Sequence, residues 1–170
     1  LGGDLWVVNG SVLSSESLDL AAEQVEAIVR LAAVPSVSRS VENPLHSHEV
    51  NATGTLAVLN LARRRQLRVV YAGSSSAYGD QETVTKTETL RDRPISPYSA
   101  AKLAGENYCH AFSKVYGLPV VVTRFFSVFG PRQVSDSPYS GVVAACCRAL
   151  HRGDPVRIEG DGQQSRDFTY

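Results

Sequence analysis

Continuous apolar runs alternate along this chain with stretches of helical periodicity, and that alternation constrains the fold more than any other feature. "LWVV" (5–8), "VEAIVRLAA" (25–33), "RVVYAG" (68–73), "PVVVTRFF" (119–126) and "PVRIEGDG" (155–162) read as strands. Residues 14–24, 46–65, 96–116 and 140–153 read as helices. A strand apolar at nearly every position is buried on both faces. Such strands, separated by helices, predict an α/β fold with a doubly wound parallel sheet. The 170 residues suffice for one domain with a sizeable core.

Local chemistry sharpens the helix limits. Ser14 or Ser15 suits an N-cap, with Glu16 near the positive helix end. Ser96 fits the N-cap of the third helix, Pro97 its first position, and Gly117 with Pro119 its end. Arg63, Arg64 and Arg65 close the second helix, where cations suit the dipole. Gly54, on the stripe of Val50, Ala57 and Leu61, would allow a close approach. Residues 79–95 are a polar, proline-punctuated loop.

Charge and composition exclude several classes. Seventeen basic residues balance seventeen acidic ones, so there is no general attraction to nucleic acid or an anionic membrane. No apolar run approaches the ~20 residues that span a bilayer. No start reads as an export signal, and the three cysteines suggest no disulfide framework, so a cytoplasmic setting is expected. His46 and His48 are two apart, a spacing that points them different ways on a helix, so no metal site is expected.

In doubly wound sheets ligands sit beyond the carboxyl ends of the strands. There the chain places Ser74-Ser75-Ser76 after "VVYAG" and Ser127 after "VVVTRFF", with Tyr98 opening the helix between. Lys102 follows Tyr98 by four residues, one helical turn. A nearby cation favours phenolate and should lower the tyrosine pKa from ~10 towards neutrality. Such a phenolate is a general base for an alcohol, and a strand-end serine could orient the same hydroxyl. Removing that proton helps a hydride leave the carbon, which implies a nicotinamide acceptor. Seven tyrosines give a Tyr–Lys pair several chances to arise by accident, so the pair alone is weak. Its place at a helix start, next to a serine run, makes it informative.

Six ordered motifs carry a resemblance: "LAAVPSVSRSVENP" (31–44), "NATGTL" (51–56), "VVYAGSSSAYGD" (69–80), "SPYSAAKLAGE" (96–106), "RFFSVFGPRQ" (124–133) and "GDGQQSRDF" (160–168). With them the chain resembles the extended short-chain dehydrogenase/reductase family, in particular its NAD-dependent sugar-nucleotide epimerases and dehydratases. The resemblance implies a Rossmann-like fold, NAD as cofactor and a nucleotide-sugar substrate. It implies Ser74, Tyr98 and Lys102 as the catalytic set. It implies Ala32, Ala33, Ala72 and Phe126, with Tyr98 and Lys102, on the cofactor side. Ser36, Ser74, Ser75, Ser127, Arg157 and Arg166 fall on substrate-side positions, with Arg166 as a diphosphate clamp. It also suggests a homodimer through helices 46–65 and 96–116. Asn51 reads as a structural residue inside its helix.

The serine run selects a subfamily. Dehydratases of this family place Asp-Glu after the catalytic serine or threonine, and decarboxylating relatives usually carry a Glu there. Ser75 and Ser76 stand at these positions and cannot supply an acid and a base near neutral pH. The pattern most resembles 4-epimerases of UDP-hexoses, which work through a transient 4-keto sugar. A dehydratase, decarboxylase or reductase of the same family is the alternative, and a non-catalytic nucleotide-binding scaffold a third.

The sequence departs from the family in places. Nothing before residue 31 fits the glycine fingerprint of a dinucleotide site, so the first βαβ unit is expected to be missing. With Leu1 at the start and Tyr170 at the end, the chain reads as an internal piece of a longer protein, inactive alone. Residues 1–152 then form a partial NAD-binding domain, and 153–170 begin a substrate region. Ser127 stands where the family usually has Asn, and Arg30 where it usually has His.

Overall fold

A computed structural model of the chain describes residues 5–134, 141–156, 158, 160–163 and 165–170. Two compact units divide it, Leu1–Arg124 and Phe125–Tyr170.

The first unit is built on three strands in the order β1 (Ala27–Arg30), β2 (Arg68–Ser74), β3 (Val120–Phe125). Strands β1 and β2 run parallel, with Ala27 opposite Arg68 and Arg30 opposite Tyr71. Helix α1 (Ser15–Ala21) precedes β1, α4 (Gly54–Arg65) precedes β2, and α5 (Pro97–Tyr116) precedes β3. This is the expected α/β alternation. On β2 the buried residues are Val69, Tyr71 and Gly73, every second one, and that face carries the core with Leu59, Leu61, Ala62, Cys109 and Phe112. Each large apolar side chain so buried contributes roughly 1.5–3 kcal/mol. The opposite face holds Val29 and Val121, 61% and 58% exposed.

Helix α5 forms as its ends dictate. Ser96 accepts from the Ser99 N–H while the Ser99 side chain accepts from the Ser96 N–H, Pro97 opens the first turn, and Gly117 closes it at φ 66°. Gly105 lets α5 approach β2: a Cβ there would stand 2.5 Å from the Tyr71 hydroxyl and 3.2 Å from Thr55 Oγ1.

Three readings change in the first unit. The helix expected over 46–65 starts at Pro44 as α3 (Pro44–His48), widens to a π turn at Glu49–Thr53 and only then continues as α4. The widening suits side chains that take up carbonyls there: Arg30 Nη2 donates to Val50 O at 2.6 Å, and Thr55 Oγ1 to Asn51 O at 2.6 Å. A short helix, α2 (Val37–Glu42), capped by Ser36, lies inside what read only as a motif. "LWVV" forms no strand; Leu5, Trp6 and Val7 are exposed, because apolar β-branched character without a partner strand does not hold one.

The second unit contains α6 (Val142–Arg152), ended by Gly153 at φ 72°, and a parallel pair of short strands, β4 (Ser127–Val128) with β5 (Phe168–Thr169). The described residues of 155–162 are not a strand; Gly160 and Gly162 both take φ 77° and turn the chain. No helix among the described residues is long and apolar enough to cross a membrane.

Candidate active site

The end of β2 faces the start of α5. Ser74 closes the strand, and its Oγ accepts from the Ser76 N–H at 3.2 Å and lies 2.8 Å from Ser76 Oγ. It thereby caps the 3₁₀ turn Ser75–Tyr78. Tyr98 sits half-buried in the first turn of α5, where Ser74 acts on its phenol. Lys102, one turn on and 4% exposed, donates from Nζ to Ala72 O and lies 4.7 Å from the centre of the Tyr71 ring. The serine, the tyrosine and the lysine therefore converge on the last three residues of one strand.

The electrostatics correct one expectation. Burial pushes the Tyr98 phenol above its ordinary pKa, and Ser74 only partly opposes that. Burial thus decides the direction for Tyr98, while the Lys102 ammonium faces the Ala72 carbonyl and the Tyr71 ring. Lys102 itself is lowered to about 8, by burial first and then by the charge of Arg30.

A second strand end lies alongside. Ala32 is exposed and Ala33 half-buried, just past β1. The next residue is clamped by Asn51: Oδ1 accepts from Val34 N–H at 3.1 Å and Nδ2 donates to Val34 O at 3.2 Å. Asn51 Nδ2 also reaches Ser47 Oγ at 3.3 Å. Asn51 therefore holds the loop after β1, beyond its own helix. Ser36 is buried, and its hydroxyl accepts from the Arg39 N–H at 3.1 Å to cap α2. Ser75, half-buried, opens the 3₁₀ turn.

In the second unit, Ser127 begins β4 and Phe126 precedes it, 37% exposed. Arg166 is exposed and donates from Nη1 to Ser165 O at 2.8 Å. Arg157 lies outside the described residues.

Sequence reasoning missed a group that frames the site. Glu106, one turn beyond Lys102, takes both Nε and Nη2 of Arg124 from β3, and Arg124 reaches Asp92 in the loop 79–95. The signal was present: Glu106 continues the Tyr98–Lys102 spacing along α5, and Arg124 is a lone charge in an apolar strand. Among the described residues no cluster of His, Cys, Asp and Glu could hold a metal ion.

Comparison with known proteins shows what the chain is similar to. An uncharacterized UDP-glucose epimerase of Bacillus subtilis (strain 168) is 39% identical over 152 residues, which is 87% of this chain and 46% of that protein. A UDP-N-acetyl-alpha-D-glucosaminuronate decarboxylase of Bacillus cytotoxicus is 31% identical over 100% of this chain and 54% of its own length. The crystal structure of a UDP-glucuronic acid 4-epimerase from Bacillus cereus, in complex with UDP-glucuronic acid and NAD, superposes with TM-score 0.84 at 31% identity, covering 95% of this chain and 50% of that one. The chain spans about half the length of the curated relatives it matches. The sequence profile described as the NAD dependent epimerase/dehydratase family matches residues 2–170, and the chain belongs to that family.

Proposed function

We propose that this chain carries the catalytic residues of an NAD-dependent 4-epimerase of a UDP-linked hexose. The observation that supports this most is the convergence of Ser74, Tyr98 and Lys102 at the end of β2, with Lys102 Nζ donating to Ala72 O. NAD, held by Tyr98 and Lys102, would supply a reversible hydride acceptor for C4 of the sugar. The donor set suits the nicotinamide-ribose half of that cofactor. Ala72 takes one of the three N–H bonds of Lys102, which leaves donors for a vicinal diol.

Tyr98 takes the proton from the C4 hydroxyl and later gives it back. Ser74, at the strand end beside Tyr98, holds the sugar hydroxyl in line. The buried phenol is in its protonated form, ready for the return step; the forward step needs the phenolate, so the rate should rise with pH through the Tyr98 titration. Ser75 and Ser76 offer neither acid nor base, which favours epimerisation over elimination. Ala32, Ala33, Ala72 and Phe126 fall to the cofactor, and Ser36, Ser75, Ser127, Arg157 and Arg166 to the substrate. Arg166 has the guanidinium fork that a diphosphate fits. Exposed Tyr108, Val115 and Tyr116 on α5 support a homodimer through helices 46–65 and 96–116.

The test uses protein expressed from its complete gene, incubated with UDP-glucose and UDP-glucuronate, with products read by proton NMR. Interconversion of C4 epimers is expected, reduced ~10²–10⁴-fold in Tyr98→Phe. A 4-keto-6-deoxy product, or loss of carbon dioxide, would replace this reading with the dehydratase or the decarboxylase. Unchanged turnover in Tyr98→Phe would remove the proposed base.

A further inference from the structure

Arg30 ends β1 with 2% of its surface exposed. One of its donors, Nη2, reaches Val50 O at 2.6 Å. The other two nitrogens, Nε and Nη1, are buried without a hydrogen-bond partner. No carboxylate pairs with it among the described residues. A buried charge with no counter-ion is destabilising, and arginine cannot shed its proton to escape.

The register tells where that charge acts. Arg30 is the partner of Tyr71 on the neighbouring strand, so both side chains leave the sheet on the same face. Lys102 Nζ lies 4.7 Å from the centre of the same Tyr71 ring. Two buried cations therefore share one aromatic neighbour. The Tyr71 hydroxyl is committed elsewhere, donating to Lys102 O at 2.9 Å.

We propose that Arg30 is a positioning residue for Lys102: its uncompensated charge, acting across Tyr71, makes the lysine give up its proton easily, so that its hold on a ribose weakens as the pH rises. Of the other groups around Lys102, only Cys109 opposes the shift, as the smallest of its three causes. Tyr71 from β2 and Cys109 from α5 are buried and hold their protons tightly. So does Tyr98. Glu106, one turn on, is taken by Arg124, whose guanidinium also covers the Tyr78 ring. On the helices packed against α5, Arg39 and Glu42, His46, His48 and Glu49, and the Arg63–Arg65 run are all exposed. The lowered pKa of Lys102 agrees, with burial as its first cause and Arg30 as its second. The consequence for a ribose rests on the function proposed above; the coupling between the two side chains does not.

The test is therefore made without cofactor, on the 170-residue chain. Its lysines are Lys86, Lys102 and Lys114, so ¹³Cε-lysine NMR gives three signals, assigned with Lys86→Arg and Lys114→Arg. The Lys102 signal is expected to titrate near pH 8 and to move upward by about half a pH unit or more in Arg30→Met. Arg30→His, whose imidazole is neutral above about pH 7, gives the same reading should the methionine variant not fold. A wild-type midpoint in the ordinary lysine range would overturn the proposal. So would a midpoint that neither variant moves.

Discussion

Glu106 and Arg124 meet in a two-pronged ion pair, with Oε1 2.7 Å from Nη2 and Oε2 3.0 Å from Nε. The pair joins α5 to β3, and its arginine does more. Arg124 Nη1 stands 2.8 Å from Asp92 Oδ1, an ion pair without hydrogen-bond alignment. Its guanidinium lies 4.5 Å over the Tyr78 ring. One side chain thus ties α5, a strand, the loop 79–95 and the turn that follows Ser74.

Removing Glu106 from this largely buried pair leaves Arg124 with only the poorly aligned Asp92. The Glu106 side chain is 8% exposed and that of Arg124 14%. Glu106→Ala is therefore expected to cost about 3–5 kcal/mol in urea unfolding. Asp92, 32% exposed and poorly aligned, is expected to cost about 1 kcal/mol or less as Asp92→Ala. Equal costs would mean that the pair is not the centre of the network.

Close packing of α5 on β2 gives a coupled prediction. A methyl at Gly105 meets the Tyr71 hydroxyl at 2.5 Å. Gly105→Ala should destabilise by roughly 1–3 kcal/mol, and Tyr71→Phe by about 1 kcal/mol through the bond lost to Lys102 O. The double variant should cost less than the two together by about 1 kcal/mol, since the hydroxyl that blocks the methyl has gone. Additive costs in thermal unfolding would place the clash elsewhere.

Much of this was legible in the residues. Ser96, Pro97 and Gly117 fixed α5 within a residue, because caps act locally. Tyr98 and Lys102 sat on one turn for the same reason. What the sequence hid was non-local. The π turn at Glu49–Thr53 is coupled to Arg30, nineteen or more residues away in the chain, reaching Val50 O. "LWVV" had strand character but no partner, and only the sheet reveals that. The direction of the Lys102 ammonium was likewise set by Ala72 and Tyr71 on another element, so helix spacing alone predicted the wrong effect on Tyr98.

Asn51 carries the loop after β1 by two hydrogen bonds to Val34. Asn51→Ala removes both and leaves the Val34 N–H and C=O unmatched, at a cost of about 1–3 kcal/mol. Asn51→Asp keeps only the acceptor. Amide exchange at Val34 should therefore quicken strongly in the alanine variant and less in the aspartate variant. Unchanged exchange in Asn51→Ala would show that the loop holds itself.

Lys102 gives the last prediction, and its sign runs against the usual case for a basic group. The folded chain releases the Lys102 proton at about 8, while the unreacted group does so at 10.5. Between those values the unfolded state binds more protons, so this lysine makes stability rise with pH. Below about pH 8 it is charged in both states, and its burial penalty, on the order of 3 kcal/mol, is present in full. Lys102→Met removes that penalty. The variant should be more stable than wild type at pH 7, and the difference should shrink as the pH climbs from 8 towards 10.5. Other groups titrate in that range too, but they are common to both proteins and cancel in the difference. Urea unfolding at pH 7 and pH 10 reads it directly. A Lys102→Met variant less stable at pH 7 would mean that the Ala72 carbonyl and the Tyr71 ring fully offset the burial of the charge.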